Sequence, residues 1–88
     1  MLKKEISEVI SAGIKIEGAD WWARYKKGSF DLVVMIPKKT IKLATRRNRI
    51  RRKINESLRI LIKEKNIRIV VYVRRDNEKI GDEIASLL

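Results

Sequence analysis

The stretch Thr45–Lys65, TRRNRIRRKINESLRILIKEK, decides how the rest of the chain is read. Ile50, Ile54, Leu58, Leu61 and Ile62 recur at helical spacing, which predicts one long amphipathic helix with Thr45 as its N-cap and an end near Lys65. An aliphatic stripe of that length needs an apolar surface to cover. The segments on either side are the natural candidates, because both read as strands.

Downstream, residues 67–74, IRIVVYVR, are rich in β-branched types and predict a largely buried strand. Upstream, residues 30–36, FDLVVMI, predict a strand with Phe30, Leu32, Val34 and Ile36 on its core face, ended by Pro37. Before it, residues 20–26 alternate, with Trp21, Ala23 and Tyr25 on one side and Trp22, Arg24 and Lys26 on the other. KKGS at 26–29 then reads as a tight hairpin turn between the two. Ile14 and Ile16 suggest a short strand before Gly18. Leu2, Ile6, Val9 and Ile10 share one face of a first helix, with Gly13 at its C-cap. Asp76 is expected to cap a last helix from about Asn77 to Leu88, with Ile80, Ile84, Leu87 and Leu88 inward. The order is α-β-β-β-α-β-α. It makes an α/β (α+β) sandwich, a single domain over residues 1–88.

The helix carries an unusual charge load. Arg46–Glu56 reads RRNRIRRKINE, and nine cations fall between Lys38 and Lys53 with no carboxylate among them. Over the 88 residues, 22 Lys and Arg face 11 Asp and Glu, a formal net charge of +11. Cations in a first helical turn oppose the macrodipole at a few tenths of a kcal/mol each. An ordinary solvated helix mixes signs instead. The run therefore points to a polyanion, and a nucleic-acid backbone is the obvious one. Projected at about 100° per residue, Asn48, Arg52, Asn55 and Arg59 form a polar stripe beside the aliphatic face, with Arg51 between. Arginine forks to phosphate oxygens, while asparagine both donates and accepts toward sugars and base edges.

Several chemistries are excluded. The chain has no Cys and no His, so disulfides, thiolate metal sites and the usual general base are absent. No P-loop or glycine fingerprint occurs. Asp20 and Asp31 flank the expected hairpin and would approach across it, but they read as solubility charges rather than metal ligands. MLKKEISEV does not read as a signal peptide, and no run approaches the roughly 20 apolar residues of a membrane span. A cytoplasmic protein is expected. Trp21, Trp22 and Tyr25 share one strand; one set of faces should enter the core. The other could stack on single-stranded bases or simply pack.

Arg47-Asn48-Arg49-Ile50-Arg51-Arg52 with Asn55-Glu56 resembles the signature of the bacterial ribonuclease P protein subunit, R-N-x-x-[KR]-R-x-x-[RK]-E. Met35-Ile36-Pro37-Lys38-Lys39 stands where that family has a strand ending in Ser-x-Ser-Lys-Lys. Leu2-Lys3-Lys4 with Ile6, Val9, Ile10 and Gly13 is similar to its first helix. The family's order of elements is the one derived above, within the ribosomal protein S5 domain 2-like fold. There are departures: Asn55 stands at a basic position, Ile6 and Ile10 replace aromatics, and Met35 and Pro37 replace serines. The loop before Arg47 is one residue longer and lacks its Gly.

The resemblance implies a protein subunit that binds ribonuclease P RNA and precursor tRNA and assists removal of the 5′ leader, while the RNA carries the catalysis with Mg²⁺. It implies Arg46, Arg47, Asn48, Arg49, Arg51, Arg52, Lys53, Asn55 and Arg59 as the RNA-subunit face. It implies Trp22, Arg24, Met35, Lys38 and Lys39 as the leader cleft. No small-molecule substrate and no membrane are expected. The rivals are another basic RNA-binding module such as a ribosomal protein, and a DNA-binding helix module. The latter normally sits in a small helical domain without strands. A membrane-surface helix would need its aliphatic face free.

Overall fold

The computed structural model describes all residues from Met1 to Leu88. Its elements are α1 (Lys3–Ala12), β1 (Ile14–Glu17), β2 (Trp21–Lys27), β3 (Asp31–Met35), α2 (Ala44–Lys65), β4 (Ile67–Val73) and α3 (Ile80–Leu87). The predicted order holds throughout.

The sheet order is β1-β2-β4-β3. β2 pairs with β4 antiparallel, Trp22 opposite Tyr72, and β3 pairs with β4 in parallel, Met35 opposite Tyr72. The KKGS turn therefore joins strands that are not neighbours, and the hairpin expected there does not form. The cause is β4. Ile67, Ile69, Val71 and Val73 are buried on one face and Val70 on the other, so this strand is covered on both faces and takes the centre of the sheet. β3 then reaches β4 through a crossover, and α2 is that crossover. Asp20 and Asp31 end up on unrelated partners. The Asp20 carboxylate accepts from Asn77 Nδ2 at 3.0 Å, and Asp31 lies 2.9 Å from the Met1 amino group.

One face of the sheet carries the main core: Trp21, Ala23, Ile69, Val71 and Val73 against Ile50, Ile54, Leu58 and Ile62 of α2 and Ile80 and Ile84 of α3. The indole of Trp21 is fully buried and donates to Glu83 at 3.3 Å, so its one polar atom is satisfied. Gly81 lets α3 cross α2 closely: a Cβ there would stand 2.7 Å from Ser57 Cβ and 3.0 Å from Ile54 Cα. On the other face α1 lies over β2 and β4, with Val9 and Val70 fully buried. Gly13 does cap α1, its N–H donating to the Val9 carbonyl.

Four local expectations are corrected. α2 starts at Ala44, with Leu43 as an N-cap that makes no side-chain bond, so Thr45 lies inside the first turn. Phe30 precedes β3 and is exposed rather than core. Leu87 is also exposed, while Leu88 packs at the edge of the core. Asp76 does not cap α3: that helix begins at Ile80, and the Asn77 side chain accepts from the Lys79 N–H at 2.8 Å. Asp76 is occupied elsewhere.

Candidate nucleic-acid interface

The aliphatic face of α2 divides its polar surface into two flanks. Arg46, Arg49 and Lys53 project within about 60° of one another toward the β4–α3 connector. There two carboxylates meet them. Arg46 grips Asp76 through Nε–Oδ2 at 2.8 Å and Nη2–Oδ1 at 2.7 Å, a two-pronged pair. Glu78 takes Arg49 Nε at 2.7 Å, and Lys53 Nζ and Arg46 Nη1 at 3.5 Å each. The Arg46 hydrogen bond holds Asp76 below the usual carboxylate range, and Arg49 does the same for Glu78. Arg46 is held more firmly protonated by Asp76 in return. These acids also offset the cations at the positive end of the helix, which nothing within α2's own first turn does.

Arg47 has a different task. Its Nη1 donates to the carbonyls of Ile41 and Lys42 at 2.8 and 2.9 Å, tying the loop from Pro37 back onto the helix. Of the basic residues assigned to RNA from the sequence, Arg46, Arg47, Arg49 and Lys53 thus have intramolecular partners.

The opposite flank is free. Asn48, Arg52, Asn55 and Arg59 are all exposed there, with Arg51 half-buried and donating to Asn48 Oδ1 at 3.3 Å. Arg51, Arg52 and Arg59 enter no ion pair, and neither do Lys38, Lys39 and Lys42 in the preceding loop. Six uncompensated cations therefore lie between residues 38 and 59.

A second surface lies on the sheet face that α1 half covers. Toward one end α1 is pinned: Arg68 to Glu5 at 3.3 Å, and Arg24 Nη1 to the Gly13 carbonyl at 3.4 Å. At the other end Trp22 stacks on Tyr72, ring centres 5.2 Å apart and planes 8° from parallel. Register places Met35 beside Tyr72, 38% exposed, and Lys38 and Lys39 follow Pro37 in the open. Trp22, Arg24 and Met35 share one face, as the alternation required. Tyr72 completes the group and was missed. The alternation of Arg68, Val70 and Tyr72 was readable, but only the β2–β4 register shows that Tyr72 meets Trp22. Asp76 and Glu78 were missed as partners of the basic run because they stand some 30 residues away in sequence.

The Ribonuclease P family model matches residues 2–86. The chain belongs to the ribonuclease P family. It is an RNase P protein subunit, and RNA binding and precursor-tRNA processing are the work of that family. The Staphylococcus aureus RNase P protein superposes with a TM-score of 0.76 over 98% of this chain and 84% of its own, at 17% identity. The Thermotoga maritima RNase P protein, solved in complex with 1-(4-fluorophenyl)-2-thiourea, gives 0.69 over 98% and 83%, at 21% identity. No curated protein sequence matches. At these identities the structural likeness is one of fold: three helices about a four-stranded sheet, as in the RNase P proteins.

This RNase P subunit has no cluster of three or more carboxylate, His or Cys side chains that could hold a metal ion. Asp76, Glu78 and Glu17 are each engaged by arginine, and Asp20 and Glu83 both accept from the Asn77 amide. The residues do not fit a protein-held Mg²⁺. No helix is long and apolar enough to cross a membrane.

Proposed function

We propose that this subunit docks on ribonuclease P RNA through the free flank of α2 and holds the leader of precursor tRNA on the sheet face, leaving hydrolysis to the RNA. The observation that carries the reading is the division of the basic run. Three cations are matched by Asp76 and Glu78, whereas Arg51, Arg52 and Arg59 with Lys38, Lys39 and Lys42 have no counter-charge. A folded protein that leaves six cations uncompensated beside two exposed asparagines is arranged for phosphates plus directional contacts. Trp22, Tyr72, Met35 and Arg24 supply aromatic, apolar and cationic surface suited to an extended single strand. Any Mg²⁺ would sit among RNA phosphates. The protein's part is to lower the repulsion between two polyanions. Work on precursor tRNA implies a cytoplasmic location.

Reconstitution tests the proposal. Added to a bacterial-type ribonuclease P RNA, the chain should permit cleavage of precursor tRNA at a lower Mg²⁺ concentration than the RNA alone requires. No lowering at any protein concentration would refute it. A general basic module such as a ribosomal protein would bind the RNA without shifting that requirement.

A further inference from the structure

The free flank of α2 is not smooth. Phe30, Asp31, Leu32, Asn55, Arg59 and Ile62 surround an open hollow of about 340 Å³ between the start of β3 and the middle of α2. A second hollow, of about 230 Å³, is lined by Arg52, Asn55, Glu56 and Arg59. Asn55 and Arg59 belong to both, so they form the wall between the two.

The first hollow has the chemistry of a base site. Phe30 is 53% exposed, and Lys63 Nζ stands 5.7 Å from its ring centre. Leu32 and Ile62 supply an apolar floor. The Asn55 amide, at the rim, can both donate and accept, which is what reading a base edge requires. Asp31 would repel an anion, but its carboxylate is already engaged by the Met1 amino group at 2.9 Å and by the Leu32 N–H at 2.8 Å. The second hollow has the chemistry of the adjoining backbone. Arg52 and Arg59 have no carboxylate partner there and offer forked donors to a phosphate. Glu56, the acid of this hollow, can accept from a ribose 2′-hydroxyl.

We propose that the paired hollows form a nucleotide site for one unpaired, everted nucleotide of a structured RNA, its base stacked on Phe30 and edge-read by Asn55, its phosphate between Arg52 and Arg59. The proposal rests on the RNA-docking role of this flank and adds a specificity-determining contact to it. It also gives Asn55 a use. Where the family signature places a cation, this chain exchanges one phosphate contact for a directional amide at the mouth of a base-sized hollow.

The test uses the full chain and hairpin RNAs with a common stem, one fully paired and four carrying a single A, C, G or U bulge, in fluorescence anisotropy titrations. The wild type should bind at least one bulged hairpin about tenfold more tightly than the paired one, the scale of one base stacked on an aromatic ring. Phe30→Leu should erase that preference while leaving affinity for the paired hairpin unchanged; Phe30→Tyr should retain it. Asn55→Ala should narrow the spread among the four bulges. Phe30 lies outside the core, so these variants keep the fold. Equal wild-type affinity for bulged and paired hairpins overturns the site, as does a preference that survives Phe30→Leu. Reconstitution is read separately. Success there without bulge preference removes only the nucleotide site, and bulge preference without reconstitution removes only the ribonuclease P reading.

Discussion

Glu78→Gln is the most informative single change. One carboxylate faces three cations, Arg49 at 2.7 Å and Lys53 and Arg46 at 3.5 Å, all well inside a Debye length of about 10 Å at 0.1 M salt. The amide keeps the side-chain volume and removes the charge. Arg46 retains Asp76, so the cations set free are Arg49 and Lys53. Each new phosphate contact should steepen the fall of log K with log[salt] by about 0.9. The wild type, with six uncompensated cations on the α2 flank and its loop, should show a slope near −5. Glu78→Gln should move it toward roughly −6 or −7. At 0.1 M salt each added contact is worth roughly an eightfold gain in affinity relative to 1 M. Titration of a fluorescently labelled RNA duplex between about 0.05 and 0.3 M KCl, over which the Debye length falls from about 14 to about 6 Å, measures both quantities. The thermal midpoint should hardly move, because exposed ion pairs contribute little to stability. An unchanged slope with unchanged affinity would refute the claim that Glu78 withholds these cations from RNA. A loss of affinity would show instead that the ion pairs hold Arg49 and Lys53 in their binding positions.

Other outcomes follow from the same geometry. Arg52→Ala should weaken duplex binding and flatten the salt slope by about 0.9 without changing the circular dichroism spectrum; a lost fold would make Arg52 structural. Single-stranded RNA should quench tryptophan emission in the wild type and in Trp21→Phe but not in Trp22→Phe, since Trp21 is fully buried and Trp22 is not. Asp31, Asp76 and Glu78 all have folded pKa values below their ordinary values of 3.8, 3.8 and 4.5. Their contribution to stability is present above those ordinary values and is lost as pH falls through the lower folded ones. With all three pairs solvent-exposed, the thermal midpoint should accordingly drop only slightly in that acid window, and less so in high salt; a midpoint that rises there would contradict the assignment. Gly81→Ala should cost about 1 to 3 kcal/mol in denaturant unfolding, because the new methyl meets Ser57 Cβ and the Ile54 backbone.

Much of the fold was legible because it depends on local periodicity. The 3.6-residue stripe of Ile50, Ile54, Leu58 and Ile62 and the alternation around Trp21 and Ala23 each report one buried face, and those faces are the ones that meet. Strand order was less legible. The KKGS turn has hairpin composition, yet the partner of β2 is β4, chosen by two-sided burial that only the assembled sheet can reward. Phe30 was placed in the core because it continues the alternation of Leu32 and Val34. It misses the core because β3 begins one residue later, at Asp31 opposite Arg68. Asp76 has the composition and position of an N-cap, and local rules assign it so. A bidentate arginine across the fold outcompetes a single backbone N–H.

The same distinction governs the site. A one-dimensional reading sees nine cations without an intervening acid and treats them as one surface. The six of those cations that lie on the helix point several ways, and what each can do depends on what stands opposite. Arg47 faces loop carbonyls and holds the loop; Arg46, Arg49 and Lys53 face two carboxylates and hold the connector. The remaining flank keeps Arg51, Arg52 and Arg59 uncompensated, and that flank also carries Asn48, Asn55 and the hollow beside Phe30. Long-range attraction to RNA needs only the net charge of +11. Choosing one RNA over another needs the charge on one side of the helix to be unavailable at close range, so that a misplaced helix cannot bind equally well through that side. Asp76 and Glu78 meet that need. Removing them should raise affinity and lower discrimination together, an outcome that a purely stabilising role for these ion pairs does not predict.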